Sequence, residues 1–305
     1  MSRDVTRWAQ GELDVLASQH LTRSLEPLES PQGPTVRVGG QTLINFSSND
    51  YLGLAASPEL IQAAQQALDT QGLGSGASRL VAGDSTVHHA LEASVAQFLG
   101  SESALLFNSG YAANVGLVSA LWGPKDTLFS DAHNHASLID GCRLSKARTF
   151  VYPHNDVVAL EVLLKANSHG RRAVLTDAVF SMDGDTAHLQ ELSRLCERHG
   201  AALVVDEAHA TGVFGPTGAG LCEALGVSAD LRMGTLGKSL GGFGAYVACD
   251  TAVRSLLIHR ARSLVFSTAL PAAWCAAAVT AIARVRHDTA PVSYTHLTLP
   301  TSDLV

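Results

Sequence analysis

From residue 104 onward the chain alternates short apolar runs with helical stretches, and this alternation constrains the fold more than any other feature. The runs fall at 104–107, 127–130, 149–152, 173–176, 202–206, 231–235 and 245–248. They have strand length, and most lack the alternating polar residues of a strand with one wet face. Helices are predicted between them at 111–121, 137–144, 157–166 and 189–198. Buried strands separated by helices imply an α/β fold, with a mainly parallel central sheet covered by helices on both faces. Functional residues then belong on loops at the carboxyl ends of the strands. Before this region, the spacing of Val5, Trp8, Leu13, Leu16 and Leu21 predicts an amphipathic helix over 3–25. A β-hairpin is predicted around Gly39-Gly40, and a helix from Pro58 to about Asp69 with Ser57 as its N-cap. Residues 72–79, rich in glycine, read as loop, and 271–287 as a last helix.

Charge and cysteine usage narrow the function. A net charge of −7, with the basic residues dispersed, argues against nucleic acid or an anionic membrane as partner. The five cysteines are scattered and form no CxxC pair, as expected of reduced, buried thiols in a cytoplasmic protein. The N-terminus has no apolar signal core, and no run approaches the roughly 20 apolar residues of a membrane span. Residues 290–305 carry no charge before Asp303 and no amphipathic period, so they read as a non-native tail.

Lys238 carries the strongest chemical signal. It stands in TLGKSLGG, about thirty residues after a strand that ends in Asp206. A lysine amine forms a Schiff base with an aldehyde cofactor, and a carboxylate holds a protonated pyridine nitrogen. The pair points to pyridoxal 5'-phosphate (PLP). At 4 Å and an effective dielectric of 20, the carboxylate favours a pyridinium by about 4 kcal/mol. His209, three residues beyond Asp206, is placed to reach the ring's phenolic oxygen. Thr235 and Ser239 offer hydroxyls for a phosphate or for local backbone bonding. Asn108-Ser109-Gly110-Tyr111 opens a helix after a strand, where free N–H groups and the helix dipole attract an anion. His135 lies over a flat cofactor ring or caps the helix that follows it. Neither His133-Asn134-His135 nor His88-His89 has carboxylate or cysteine partners at metal-ligand spacing.

Seven segments in order complete a pattern: NFSSNDYLGL (45–54), GSGASRLVAG (74–83), FNSGYAAN (107–114), HNHASLIDG (133–141), VFSMDGD (179–185), VDEAHATGVFG (205–215) and TLGKSLGGFG (235–244). On these motifs the chain resembles the α-oxoamine synthases, PLP enzymes of the type I aminotransferase fold. The resemblance covers roughly residues 10–288. It implies that Lys238 carries PLP, that Asp206 pairs with the ring nitrogen, and that His209 and Ser181 contact the ring hydroxyl. Gly110 and Tyr111 then hold the cofactor from one side, Thr235 contacts its phosphate, and His135 stacks on the ring. Arg23, at the end of the N-terminal helix, meets the acyl substrate, and Asn49 faces the site. Ser267 and Thr268 reach the phosphate of the partner subunit's cofactor, which requires a homodimer with sites at its interface.

Within the family, GSGASRLVAG and NFSSNDYLGL most resemble members that join L-alanine to a pimeloyl thioester, on CoA or acyl carrier protein, in biotin biosynthesis. Members using glycine or serine are the alternatives, as are a non-catalytic partner subunit and a PLP-binding fragment without turnover. The resemblance also divides the chain into an N-terminal arm (1–45), a large PLP-binding domain (46–270) and the start of a helix leading to a small C-terminal domain (271–289). That small domain supplies an arginine for the amino acid's carboxylate, and no segment here matches it. The expectation is therefore a C-terminally truncated chain of low activity or stability.

Overall fold

The computed structural model describes residues 4–287, so the predicted tail at 290–305 lies outside the described residues. The chain divides into two compact units between Phe46 and Ser47.

The first unit holds helix α1 (Asp4–Ser18) and strands β1 (Thr35–Val38) and β2 (Gln41–Ile44). The helix is shorter than its apolar spacing predicts. His20 enters the left-handed region (φ 56°), and the Leu21 N–H closes back onto Leu16 O at 2.9 Å. This is the wrap of a helix C-terminus, which satisfies carbonyls that a continuing helix would have used. Arg23 therefore falls in the irregular stretch beyond α1 rather than at its end. β1 and β2 pair antiparallel, with Val38 opposite Gln41. Gly39 and Gly40 both have positive φ, as the tight two-residue hairpin turn requires.

The second unit begins with α2 (Pro58–Gln71), a π-helical turn (Arg79–Gly83) and α3 (Thr86–Leu99). Ser57 occupies the N-cap position of α2, but its hydroxyl makes no capping bond. Strands and helices then alternate: β3 (Ser103–Phe107), α4 (Gly110–Leu121), β4 (Thr127–Asp131), α5 (Ala136–Ser145), β5 (Arg148–Tyr152), α6 (Val157–Ala166), β6 (Arg172–Asp177), α7 (Leu189–His199) and β7 (Ala202–Asp206). They are followed by α8 (Leu221–Leu225), β8 (Leu231–Thr235), β9 (Ala245–Cys249), α9 (Thr251–Arg260), α10 (Arg262–Val265) and α11 (Ala272–His287).

The sheet order is β3-β9-β8-β7-β6-β4-β5. β9 runs antiparallel to both neighbours, and the remaining pairs are parallel. Because strand side chains alternate, the sheet feeds a core on each face. Leu105, Leu175, Val204 and Val247 pack with α4, α5 and α9. On the other face Leu106 and Tyr246 pack with α3 and α11, and Val174, Leu203 and Val205 with α6 and α7. The mainly parallel, doubly covered sheet read from the sequence is the one observed. Its layout sends the C-terminal ends of β6, β7 and β8 (Asp177, Asp206 and Thr235) to one edge.

The sequence pattern does not signal α3. Its N-terminus is a capping box in which His88 replaces the usual Glu or Gln, with the His88 ring and Ser85 bonded to each other. The other ring nitrogen of His88 bonds Leu270 O at 2.8 Å. His88 is thus a buried structural residue, while its neighbour His89 pairs with Asp84 at 2.6 Å.

Candidate active site

Lys238 lies in the turn between β8 and β9. The Gly241 N–H donates to Lys238 O at 2.9 Å, and the Gly242 N–H to Leu236 O at 2.7 Å. Gly241 takes φ 64°, and a side chain there would strike the backbone of Leu54, so the turn depends on glycine. Ser239 is buried, with its hydroxyl donating to Thr211 O. Of the two uses open to Ser239, local backbone bonding is the observed one.

The turn presents Lys238 to a cavity of about 180 Å³ at the strand ends. Gly110, Tyr111, His135, Ser181, Asp206, His209 and Thr235 line it together with Lys238. Eight of the twelve residues to which the resemblance gives a role therefore converge on one space. A larger, open cleft of 630 Å³ lies at the opposite end of the sheet, around Glu102, Asp230 and Arg286. The smaller cavity is the better candidate, because it holds the amine, the buried carboxylates and the imidazoles together at the carboxyl ends of the strands.

Within the cavity Lys238 Nζ is 2.7 Å from His209 Nε2, and His209 Nδ1 is 2.7 Å from Tyr51 Oη. Tyr51 in turn donates to Asn49 Oδ1 at 3.1 Å. Asn49 thus connects to the amine through two intermediaries and does not line the cavity. Burial and the neighbouring lysine push His209 down to about 4, so its ring is neutral above pH about 5. Burial also lowers the Lys238 amine, against the pull of Asp206 and Asp177.

Asp206 ends β7 and is 5% exposed. It accepts from Asn114 Nδ2 at 2.7 Å and from the Ala208 N–H at 2.9 Å. Burial holds its carboxyl above the usual carboxylate range. Asp177 sits opposite it in the β6–β7 register. One Asp177 oxygen accepts from the His135 N–H at 3.0 Å, and the other has no partner. Burial and the nearby Asp206 push Asp177 to about 8. His135 both lines the cavity and caps α5, its ring accepting from the Ser137 N–H.

The end of the cavity at Thr235 and Gly110 suits an anionic group. Thr235 Oγ1 is buried without a partner. Beside it, a Cβ on Gly110 would lie only 3.1 Å from Thr235 Cγ2, so glycine keeps that wall open at the start of α4. Asn114, Ser137, Asp177 and Tyr51 belong to the constellation, and sequence reasoning misses all four. Asn114, Ser137 and Tyr51 stand inside three of the quoted motifs, but Asp177 looks like any strand-end turn residue until its register with Asp206 is seen.

The remaining expectations fall elsewhere. Ser267 and Thr268 border a separate small recess with Arg79 and Asn108, and Asn108 Nδ2 donates to Thr268 O at 2.8 Å. Arg23 belongs to the first unit. His133 stacks on His154, with ring centroids 4.1 Å apart. Among the described residues no group of three or more His, Cys, Asp or Glu is placed to hold a metal ion, and no helix is long and apolar enough to cross a membrane.

A lysine-centred cavity at the carboxyl ends of a doubly covered, mainly parallel sheet is the arrangement of a PLP-dependent transferase of the type I fold. The chain belongs to the aminotransferase class I and II family, whose model matches residues 41–290. Among its curated relatives, 8-amino-7-oxononanoate synthase of Anaeromyxobacter sp. (strain K) is 56% identical over 299 residues, which cover 97% of this chain and 75% of that protein. The Geobacter sulfurreducens protein of the same name is 53% identical over 281 residues, covering 91% of this chain and 72% of its own. Among solved structures, Sphingomonas wittichii serine palmitoyltransferase superposes with a TM-score of 0.86 at 33% identity, covering 92% of this chain and 71% of that one. A serine palmitoyltransferase from S. paucimobilis solved with bound PLP gives 0.87 at 31%, over 93% and 73%. The 8-amino-7-oxononanoate synthase of Francisella tularensis gives 0.70 at 31%, over 79% and 68%.

Proposed function

We propose that the protein is a PLP-dependent acyltransferase that condenses L-alanine with a pimeloyl thioester, releasing 8-amino-7-oxononanoate, carbon dioxide and the free thiol. The observation that carries the chemistry is the cavity itself, in which one partly desolvated amine, Lys238, shares a small space with the buried carboxylate of Asp206. The relatives' names support the choice of substrates.

Bound PLP supplies an aldehyde that condenses with amines and a pyridine ring that holds an electron pair released beside nitrogen. The residues present fit it. Lys238 Nζ is the anchor, Asp206 the partner of the ring nitrogen, Thr235 Oγ1 a donor to the phosphate, and Gly110 and Tyr111 one wall. With the cofactor held there, Lys238 Nζ would be the base that takes the proton from the alanine α-carbon and the acid that returns one after carbon dioxide leaves. Its depressed pKa suits that duty, because an amine poised nearer neutrality both accepts and donates. His209 is neutral at working pH, so its Nε2 accepts a hydrogen bond from Lys238 Nζ without adding charge. His135 covers the cavity from the α5 side, and Ser181 closes it from the loop after β6. Ser267, Thr268 and Arg23 complete the reading as contacts to a partner's cofactor and to the acyl chain, in a homodimer.

Turnover assays separate this reading from its neighbours. Alanine, glycine and serine are each supplied with pimeloyl-, acetyl-, succinyl- and palmitoyl-CoA, and carbon dioxide and thiol are measured. The expected pair is alanine with pimeloyl-CoA; preferred use of glycine with acetyl-CoA or of serine with palmitoyl-CoA overturns the substrate assignment.

A further inference from the structure

We propose that Asn114 and Ser137 are positioning residues that relay the charge of Asp206 to His135 and hold the His135 ring as its Nε2–H tautomer. The inference rests on the assignment of Asp206 as the ionised partner of a bound cofactor, and adds to it what the carboxylate does on its protein side.

The count of donors and acceptors fixes the arrangement. Asn114 is fully buried in α4. Its Nδ2 donates one hydrogen to Asp206 Oδ2 at 2.7 Å and the other to Ser137 Oγ at 2.9 Å. A carboxylate accepts only, so it fixes which end of the amide faces it. The reversed amide would set Asn114 Oδ1 against Asp206, two acceptors face to face, and lose that bond. With the amide fixed, Ser137 Oγ must accept from Asn114, and its own proton is free to point elsewhere. The acceptor in reach is His135 Nδ1, at 2.7 Å.

A second donor votes the same way. The Ser137 backbone N–H also points at His135 Nδ1, at 3.3 Å. Facing two donors, Nδ1 cannot carry a proton of its own, so the neutral ring carries it on Nε2. The ring's backbone end is held separately, by the His135 N–H donating to Asp177 Oδ2 at 3.0 Å. His135 thus lines the cavity with a fixed orientation and one defined donor, and the information setting that donor starts at Asp206. Asn114 Oδ1 is buried with no partner. Leaving an amide oxygen unpaired is costly, and the two Nδ2 bonds it accompanies are what hold the amide in that orientation.

The test is nitrogen NMR on protein labelled in the histidine rings, with His135→Gln identifying the signals. It is run with PLP bound and with the cofactor removed, at neutral and mildly alkaline pH. The expected result is His135 protonated on Nε2 and bare on Nδ1. Ser137→Ala removes the hydroxyl donor and should cut the preference for that tautomer by roughly tenfold, the worth of one buried hydrogen bond. Asn114→Ala frees the Ser137 hydroxyl to rotate and should shift the ratio the same way, whereas Ser137→Thr keeps the donor and the native ratio. A native ring protonated on Nδ1 overturns the proposal, as does an unchanged ratio in Ser137→Ala or Asn114→Ala. If a variant does not fold, the native spectrum still decides. Absence of PLP binding, read from absorption, would defeat the cofactor assignment instead, and the cofactor-free spectrum would still test the relay.

Discussion

Replacing Asp177 with asparagine should make the cofactor-free protein more stable at alkaline pH and leave it unchanged at acid pH. Asp177 is 4% exposed and lies opposite Asp206 in the sheet, with one carboxyl oxygen unpartnered. Its pKa is pushed from 3.8 to about 8 by burial and by the neighbouring carboxylate. Between those values the folded chain keeps a proton that the unfolded chain has released. Stability therefore falls as pH rises through that window, by at most about 1.4 kcal/mol per pH unit. A window of about four units sets a ceiling of about 6 kcal/mol. Because the repulsion is shared with Asp206 and eased by Lys238, we expect about 2–3 kcal/mol. The amide introduced by Asp177→Asn matches the protonated acid in shape, still accepts from the His135 N–H and never ionises. Urea unfolding midpoints of both proteins, measured from pH 5 to pH 9, give the comparison directly. The curves should already stand slightly apart at pH 5, past the unfolded value of 3.8, and diverge further up to about pH 8, with the variant above. Parallel curves, or a native protein that gains stability on the variant as pH rises, would refute the reasoning about this pair.

Two further predictions concern the fold and the cavity wall. Glu92 is 5% exposed and accepts from Arg254 at 2.6 Å, from the Leu106 N–H at 3.1 Å and from Arg79. Glu92→Ala leaves Arg79 with Asp84 alone, Arg254 with only the Ala104 carbonyl, and a strand N–H unpaired, and should cost about 3 kcal/mol in urea unfolding; a loss under about 1 kcal/mol would show that water takes over those partners. Gly110→Val drives a branched side chain into Thr235, 3.1 Å from where its Cβ would sit. It should weaken PLP binding at least tenfold in an absorption titration with little change in the unfolding midpoint, and unchanged affinity would remove Gly110 from the cofactor's wall.

The strands are legible in the sequence because each is a buried apolar run bounded by polar turns, and tertiary contacts only extend them by a residue or so. α3 is not, because His88 and Glu92 interrupt its apolar face. Those polar groups are buried only by virtue of Leu270 O, Arg79 and Arg254, none of which is local. The sequence overstates α1 for the opposite reason: apolar spacing continues to Leu21, but His20 turns left-handed first. In the cavity, Lys238 stands out as one of four lysines, Lys125, Lys146, Lys165 and Lys238, and the one set among glycines after a strand. Asp206 and His209 follow from it by spacing. Asp177 does not, since its meaning lies in strand register, and Asn114 is one polar residue in an otherwise apolar helix until Asp206 is placed beside it. Ser267 and Thr268, expected to act on a partner subunit, border a recess of their own beside Asn108.

Everything proposed for the cavity depends on Lys238 binding the cofactor covalently. The most direct measurement is to add PLP, reduce the protein with borohydride, digest it and locate the pyridoxyl group by peptide mass. The other three lysines are exposed, so they act as internal controls. Stoichiometric label on Lys238 is expected, accompanied by a visible absorption band that Lys238→Ala abolishes. Label spread over Lys125, Lys146 and Lys165, or a band that survives in Lys238→Ala, would contradict it.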